Sequence, residues 1–456
     1  MTTATSNKSS ESTTNREEVL ANNMDYSLFS WSRQKDIDPI VVDHAEGVYL
    51  HDVNGKSYLD FSSGLINVNI GHGHPRIANA VIKQMQKVSY VTPSNITEVR
   101  GELAKKLASI CPEGINKAFF TVCGATAIEN AIKLARIVTG RHKIIGRYQS
   151  YHGSTYGVIS AGGDPRRFAV DAQQAPNFIH IDIPTLYRWK YSEADLLEDC
   201  INQFKKTLAF ENPASIAAIL LEGESGSSGC LQYPKGYLRA ITEICNTHGI
   251  LVIIDEVMSG FGRTGKWFGF ENHDIVPDMI AMAKGLTSGY LPMGCLMVKD
   301  SIVAPFDQKI LPLGLTYSAH PVCCAAALET IRIYEDENLL ENATVMGNYI
   351  TAKVDALKVK HACIGEFRNT GLLGCLELVR NKTTKEPFAA VNAGDSDIKL
   401  MKKIETSLKS NGLYTMVRWN YIFIAPPLCI TTQEADEGLA IISRALEIAD
   451  EYIKNI

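Results

Sequence analysis

The sequence predicts an α/β protein built on a mostly parallel central sheet, followed by a smaller α+β domain. Three observations lead there. Between about residues 100 and 330, short β-branched apolar runs alternate with amphipathic helical stretches. The runs are apolar on consecutive positions, as G-I-L-V-I-I-D-E at 249–256 shows, which is the pattern of strands covered on both faces. After about residue 335 the chain changes to amphipathic helices with only a few strands.

The N-terminus, M-T-T-A-T-S-N-K-S-S-E-S-T-T-N-R, is polar and lacks the apolar core of a secretory signal, so a disordered tail is expected over 1–20. Residues 21–75 form a segment expected to join the smaller domain. Within it, G-V-Y-L-H-D-V-N-G-K-S-Y-L-D-F alternates about Asn54-Gly55, a hairpin signal. Residues 76–335 make the large domain. Its helices are expected over 98–110, 125–139 and 234–247, and its strands over 118–122, 143–147, 217–222, 250–255, 279–283 and 295–298. Residues 336–456 make the small domain, with strands over 374–379 and 421–425.

Composition excludes several classes. A net charge of −5 over 456 residues, without long runs, gives no footprint for nucleic acid. No window approaches the roughly 20 apolar residues that span a bilayer. The 11 cysteines form no C-x-x-C pair and several lie in apolar runs, so they read as reduced core residues of a cytoplasmic protein.

Ligands of open parallel sheets gather at the carboxyl ends of the strands, so the residues just past each strand carry the most information. After F-F-T-V comes Cys123-Gly124-Ala125-Thr126, where small residues open a helix and leave backbone N–H groups free for a phosphate, or simply make a turn. After K-I-I-G-R-Y-Q-S comes Tyr151-His152-Gly153, and Tyr151 could stack on a flat ring or fill a loop. Glu222 ends one strand and Asp255 another. A carboxylate at the end of a buried strand needs a cationic partner, either a ligand's ring N–H or Arg263 or Lys266. Lys284 comes after M-I-A-M-A, where desolvation lowers an amine's pKa. A lysine and an aspartate delivered from neighbouring strand ends are what pyridoxal 5'-phosphate chemistry requires. The amine captures the aldehyde, and the carboxylate keeps the ring nitrogen protonated so that the ring can accept electrons.

The runs I-I-D-E-V-M-S-G-F-G-R-T-G-K-W-F-G and P-D-M-I-A-M-A-K-G-L resemble the class III, or ω-, aminotransferases, of PLP fold type I. The resemblance extends over about 40–450 and includes L-D-F-S-S-G-L-I-N-V-N-I-G-H-G-H-P, G-A-T-A-I-E-N-A-I-K-L-A-R, S-Y-H-G-S-T and L-T-Y-S-A-H-P-V-C-C-A-A-A-L. It implies Lys284 as the covalent anchor, Asp255 at the pyridine nitrogen and Glu222 nearby on the substrate side. It also implies Tyr151, His152 and Val257 around the ring, Gly124 and Ala125 at the phosphate, and Thr316 at the phosphate of a partner subunit's cofactor. The same resemblance implies a homodimer, or a tetramer of such pairs, with sites at the interface. His72 and His74 in G-H-G-H-P look like a metal pair but belong to a turn in this family, so no metal is expected. The chain departs from the family at Glu222-Gly223-Glu224-Ser225-Gly226, at Ile66 where many members have tryptophan, and at Ala319 where glycine is common.

The substrate pocket needs an anion-binding group, because two different acids share it. Arg418, in T-M-V-R-W-N-Y-I-F, is the candidate, since a guanidinium grips carboxylate or sulfonate through two parallel hydrogen bonds. Trp31, Ile66 and Trp419 are the candidate walls. Among class III enzymes, F-S-W-S-R-Q, the G-L-I-N-V-N-I-G-H-G-H-P run and V-R-W-N-Y-I-F most resemble taurine aminotransferases. The implied reaction is ping-pong transfer from taurine to 2-oxoglutarate. β-Alanine or 4-aminobutyrate as donor, pyruvate as acceptor, and another fold-type-I activity such as a decarboxylase or aminomutase are the alternatives.

Overall fold

The structure, a computed structural model, describes residues 15–394 and 398–455. Its centre is a seven-stranded sheet in the order Lys117–Thr121, Gly294–Val298, Met279–Met282, Leu251–Asp255, Ile216–Glu222, Lys143–Arg147, Phe178–Ile181. Gly294–Val298 runs antiparallel to both neighbours, and every other pairing is parallel.

The consecutive apolar residues are explained by two covers. Ile216–Glu222 is buried along its whole length. Ala218 and Leu220 pack on one face with Ala127, Ile128 and Ala131 of the helix Gly124–Thr139. Ile219 and Leu221 point the other way, into a core shared with Leu238 and Ile241 of the helix Tyr237–Thr247. Side chains alternate across a strand, so a strand covered twice must be apolar at every position.

The sequence places helices and strands here to within a few residues. The helix expected over 234–247 starts late, because Gly236 sits at φ +87° and breaks the helical path before Tyr237. The edge strand Phe178–Ile181 is absent from the expected set. It has only four residues, all half-buried, and a histidine interrupts its apolar pattern.

Two further sheets surround the C-terminal helices. Ile364–Thr370, Leu373–Asn381, Tyr421–Ile424 and Val417–Arg418 form one. The N-terminal strands Val42–Glu46, Tyr49–Asp52 and Ser57–Asp60 form the other, completed by Leu413–Tyr414, which pairs in parallel with Leu59 and Asp60. The hairpin loop spans more than Asn54-Gly55. The Asp52 carboxylate accepts from Asn54 N and Lys56 N, both at 2.9 Å, and Gly55 takes φ +80°.

Most of the expected tail lies outside the described residues. Its last part is ordered, because Arg16–Tyr26 is a helix capped by Asn15, whose side chain accepts from Glu17 N at 3.1 Å. No helix among the described residues is long and apolar enough to cross a membrane.

Candidate active site

Parallel strands end at the same edge of a sheet, so the residues just past their ends converge. Glu222 and Asp255 close adjacent strands and are direct cross-strand partners. Two carboxylates side by side repel unless each has its own counter-group. Glu222 Oε2 accepts from Arg147 Nη2 at 2.8 Å, and Oε1 accepts from Gly226 N at 3.2 Å. Arg147 is wholly buried and also donates to the Tyr233 hydroxyl at 2.6 Å. Asp255 Oδ1 accepts from Val257 N at 2.9 Å, and His152 Nδ1 lies 2.7 Å from Oδ2. Arg263 is not the partner of Asp255. It donates to Leu372 O, Pro426 O, Ser63 Oγ and Asn69 Oδ1.

Lys284 opens the short turn Lys284–Leu286 after the strand Met279–Met282. It sits at φ +47°, a left-handed conformation that a lysine adopts only under constraint. Burial lowers its amine from the usual 10.5 to about 8, with Asp255 opposing the shift and Arg166 and Arg263 adding to it.

These groups line one cavity of about 650 Å3, within the size range of small-molecule sites. Gly124, Ala125, Tyr151, His152, Val257, Glu222, Asp255 and Lys284 all border it, as do Trp31, Ile66 and Arg418. Thr316, expected at the cofactor of a partner subunit, and Trp419 lie outside the residues that border it. Thr316 is exposed on a turn, with its carbonyl accepting from the Tyr90 hydroxyl at 2.9 Å. Trp419 lies at φ +52°, with its ring centre 4.0 Å from the Arg418 guanidinium carbon. His72 and His74 are separately engaged, His72 with Asp60 at 2.9 Å and His74 with Glu337 at 2.9 Å. The described residues hold no group of three or more metal-ligating side chains.

A second cation borders the cavity that sequence reading did not single out. Arg166 lies in G-G-D-P-R-R-F, just inside the 3-10 helix Pro165–Gln173 that Asp164 caps. Its guanidinium carbon is 3.5 Å from the centre of the Tyr151 ring and 5.6 Å from that of Trp31. Asp164, 2% exposed, joins it to Arg418, and the Arg418 Nη2 to Asp164 Oδ2 distance is 2.7 Å. Burial alone would raise the Asp164 carboxyl, but Arg166 and Arg418 hold it below the ordinary carboxylate range. The available signal was the Asp-Pro dipeptide, which starts a helical turn and fixes where the next arginine goes.

Residues 30–446 match the family model described as Aminotransferase class-III. The chain belongs to the class III aminotransferases. Among solved structures it resembles the taurine:2-oxoglutarate aminotransferase from Bifidobacterium kashiwanohense, in complex with PLP and glutamate. That match has 38% identity and a TM-score of 0.92, covering 95% of this chain and 98% of the other. It is 32% identical to the taurine–pyruvate aminotransferase of Bilophila wadsworthia over 96% of this chain and 99% of that one. It is 34% identical to the putrescine–pyruvate aminotransferase of Pseudomonas aeruginosa over 89% and 90%.

The cofactor of class III aminotransferases is pyridoxal 5'-phosphate, and the residues present fit it. A Cβ on Gly124 would come within 2.8 Å of Val257 Cγ2, and one on Gly153 within 2.5 Å of the Ala125 side chain, so side chains there would fill the cradle. His152 Nε2 is buried with no partner among the described residues, a polar atom left for a bound molecule to satisfy. In this aminotransferase a buried amine, Lys284, a carboxylate, Asp255, and the start of the helix Gly124–Thr139 border one cavity.

Proposed function

We propose that this aminotransferase moves the amino group of taurine, or a similar ω-amino acid, to 2-oxoglutarate, giving sulfoacetaldehyde and glutamate in a ping-pong cycle. The observation that carries this reading is the pair Arg166 and Arg418 in the same cavity as Lys284. One arginine suffices for a sulfonate or for a single carboxylate, whereas a dicarboxylate acceptor calls for two. The names of the taurine-specific relatives support the donor.

When bound, the cofactor supplies an electron-withdrawing ring and an aldehyde that takes up the amino group. The chain's own residues do the rest. Backbone N–H groups at Gly124 and Ala125 would hold the phosphate, and Tyr151 and Val257 would flank the ring. Asp255, oriented by His152, would keep the ring nitrogen protonated, while Glu222 has its own charge neutralised on Arg147. Lys284, which would hold the cofactor, would also be the base at Nζ for the proton on the amine-bearing carbon.

Thr316 acts in a second copy of the chain, so the working unit is a homodimer. The exposed aromatic pair Tyr90 and Tyr317 beside it, with ring centres 6.1 Å apart, supports a covered surface there. The 11 unpaired cysteines fit the reducing cytoplasm.

The test mixes purified holoenzyme with taurine, β-alanine, 4-aminobutyrate or putrescine, each with 2-oxoglutarate or pyruvate, and measures the new amino acid. Taurine inactive where β-alanine turns over would sink the donor assignment. The second reading, pyruvate as acceptor, is favoured by the full-length match to the Bilophila wadsworthia enzyme. Alanine formation exceeding glutamate formation would establish it.

A further inference from the structure

We propose that the protein has a second ligand site, a cavity behind the loop that carries Tyr151, which takes an organic cation with an apolar body and an oxygen acceptor. This inference goes beyond the transamination reading and does not rest on it.

The site follows from how one helix meets the sheet. On the helix Glu193–Glu211, Leu196, Asp199, Cys200, Gln203 and Phe204 fall at spacings of three and four, so they share one face. A face laid wholly against a core is apolar, as Leu196, Phe204 and Leu208 are, but Asp199 and Gln203 interrupt it. A cavity of about 570 Å3 lies along this face, a volume that suits a small molecule. Among the described residues it shares no bordering side chain with the cavity of Lys284. One loop divides the two. Gln149 takes φ +64°, a left-handed turn that leaves Tyr148 and Gln149 on the second cavity and Tyr151 and His152 on the first.

Charge and aromatic area set the ligand class. Asp182, just past the strand Phe178–Ile181, and Asp199 both border the cavity. Asp199 accepts from the neutral amide of Gln203 at 2.6 Å, and neither carboxylate forms an ion pair among the described residues. The Arg188 guanidinium on the wall is taken by Glu377, and it also donates to Lys385 O at 3.2 Å. Burial pushes the Cys200 thiol up to about 11, and Asp199 and Asp182 add to that shift, as a negative potential at the wall requires. Tyr148, Trp189 and Tyr237 add aromatic rings, whose faces attract a cation. Trp189 Nε1 is buried and has no acceptor among the described residues, so a fitting ligand supplies one. A carboxylate or phosphate would instead meet two uncompensated acids.

The experiment titrates wild-type holoenzyme with acetylcholine by calorimetry. This probe has a quaternary cation and a carbonyl acceptor, and it has no amine that could be transferred. The expected result is one saturable site per chain. The neutral isostere in which carbon replaces the nitrogen should bind about tenfold more weakly. Asp182→Asn and Asp199→Asn should each weaken acetylcholine by about threefold or more, and Trp189→Phe, which keeps a ring and removes the N–H, by about fivefold. Absence of saturable binding, or equal binding of the isostere, overturns the proposal from wild-type protein alone. Binding that all three variants leave unaltered lies elsewhere on the molecule and overturns it too.

Discussion

Replacing Asp255 with asparagine should make cofactor capture easier at neutral pH while stopping turnover. Burial lowers the Lys284 amine from 10.5 to about 8, and Asp255 is the largest force in the opposite direction. At pH 7 an amine of pKa 10.5 is neutral in about 0.03% of molecules, and one of about 8 in about 9%, a gain of roughly 300-fold in the reactive form. The rate of covalent capture, monitored by absorbance after adding pyridoxal 5'-phosphate to cofactor-free protein, should climb about tenfold per pH unit and level off near pH 8 in the wild type. Asp255→Asn keeps the shape and removes the attraction that holds the ammonium, so its levelling point should lie below that of the wild type. Turnover should nonetheless fall by about 10²–10³, because the ring nitrogen has lost its counter-charge. The same depressed pKa sets the stability sign. Between about pH 8 and 10.5 the unfolded chain binds more protons at this site than the native one, so this amine's contribution to stability grows as pH rises through that window. A levelling point at or above the wild-type value, or turnover within threefold of wild type, would refute the reasoning.

Three further outcomes are expected. Lys284→Ala should abolish turnover with an unchanged far-UV circular dichroism spectrum, and borohydride trapping with peptide mapping should label the wild type at 284 and leave the variant unlabelled. Arg418→Ala should raise KM for anionic substrates by about tenfold or more with a smaller change in kcat, because it removes a charge-assisted contact distant from the reacting carbon. Arg263→Leu should cost about 3–5 kcal/mol in denaturant unfolding, since it strands the buried carbonyls of Leu372 and Pro426 that the guanidinium now satisfies at 3.0 and 2.5 Å.

The part of the site legible in the sequence is the part that the strand pattern delivers. Asp255 and Lys284 each end an apolar run, and parallel strands bring such ends to one edge without any further information. The polar partners behind them were not visible. Arg147 lies within its own strand and meets Glu222 only because the two strands are neighbours in the sheet. Arg166 and Asp164 lie on an irregular stretch, and periodicity says nothing about which way a 3-10 turn points its side chains. Trp419 was misread for a related reason. In an alternating strand its neighbour Arg418 would face the opposite side, but the left-handed backbone at 419 folds the indole back over the guanidinium.

The two halves of the site therefore answer to different physics. The cofactor half hangs on the ends of strands buried on both faces, where close packing against two covers holds each strand in place, so its geometry is tied to the packing of the whole sheet. The candidate anion half lies on the segment carrying Trp31, the turn after Asp164 and a two-residue strand, none of them part of the seven-stranded sheet. Substitutions at Arg166 or Arg418 are thus expected to change which acid is accepted while leaving the surroundings of Lys284 in place. On the proposed reading, substrate choice is separable from chemistry because the elements expected to select the acid lie outside the sheet that positions Asp255 and Lys284.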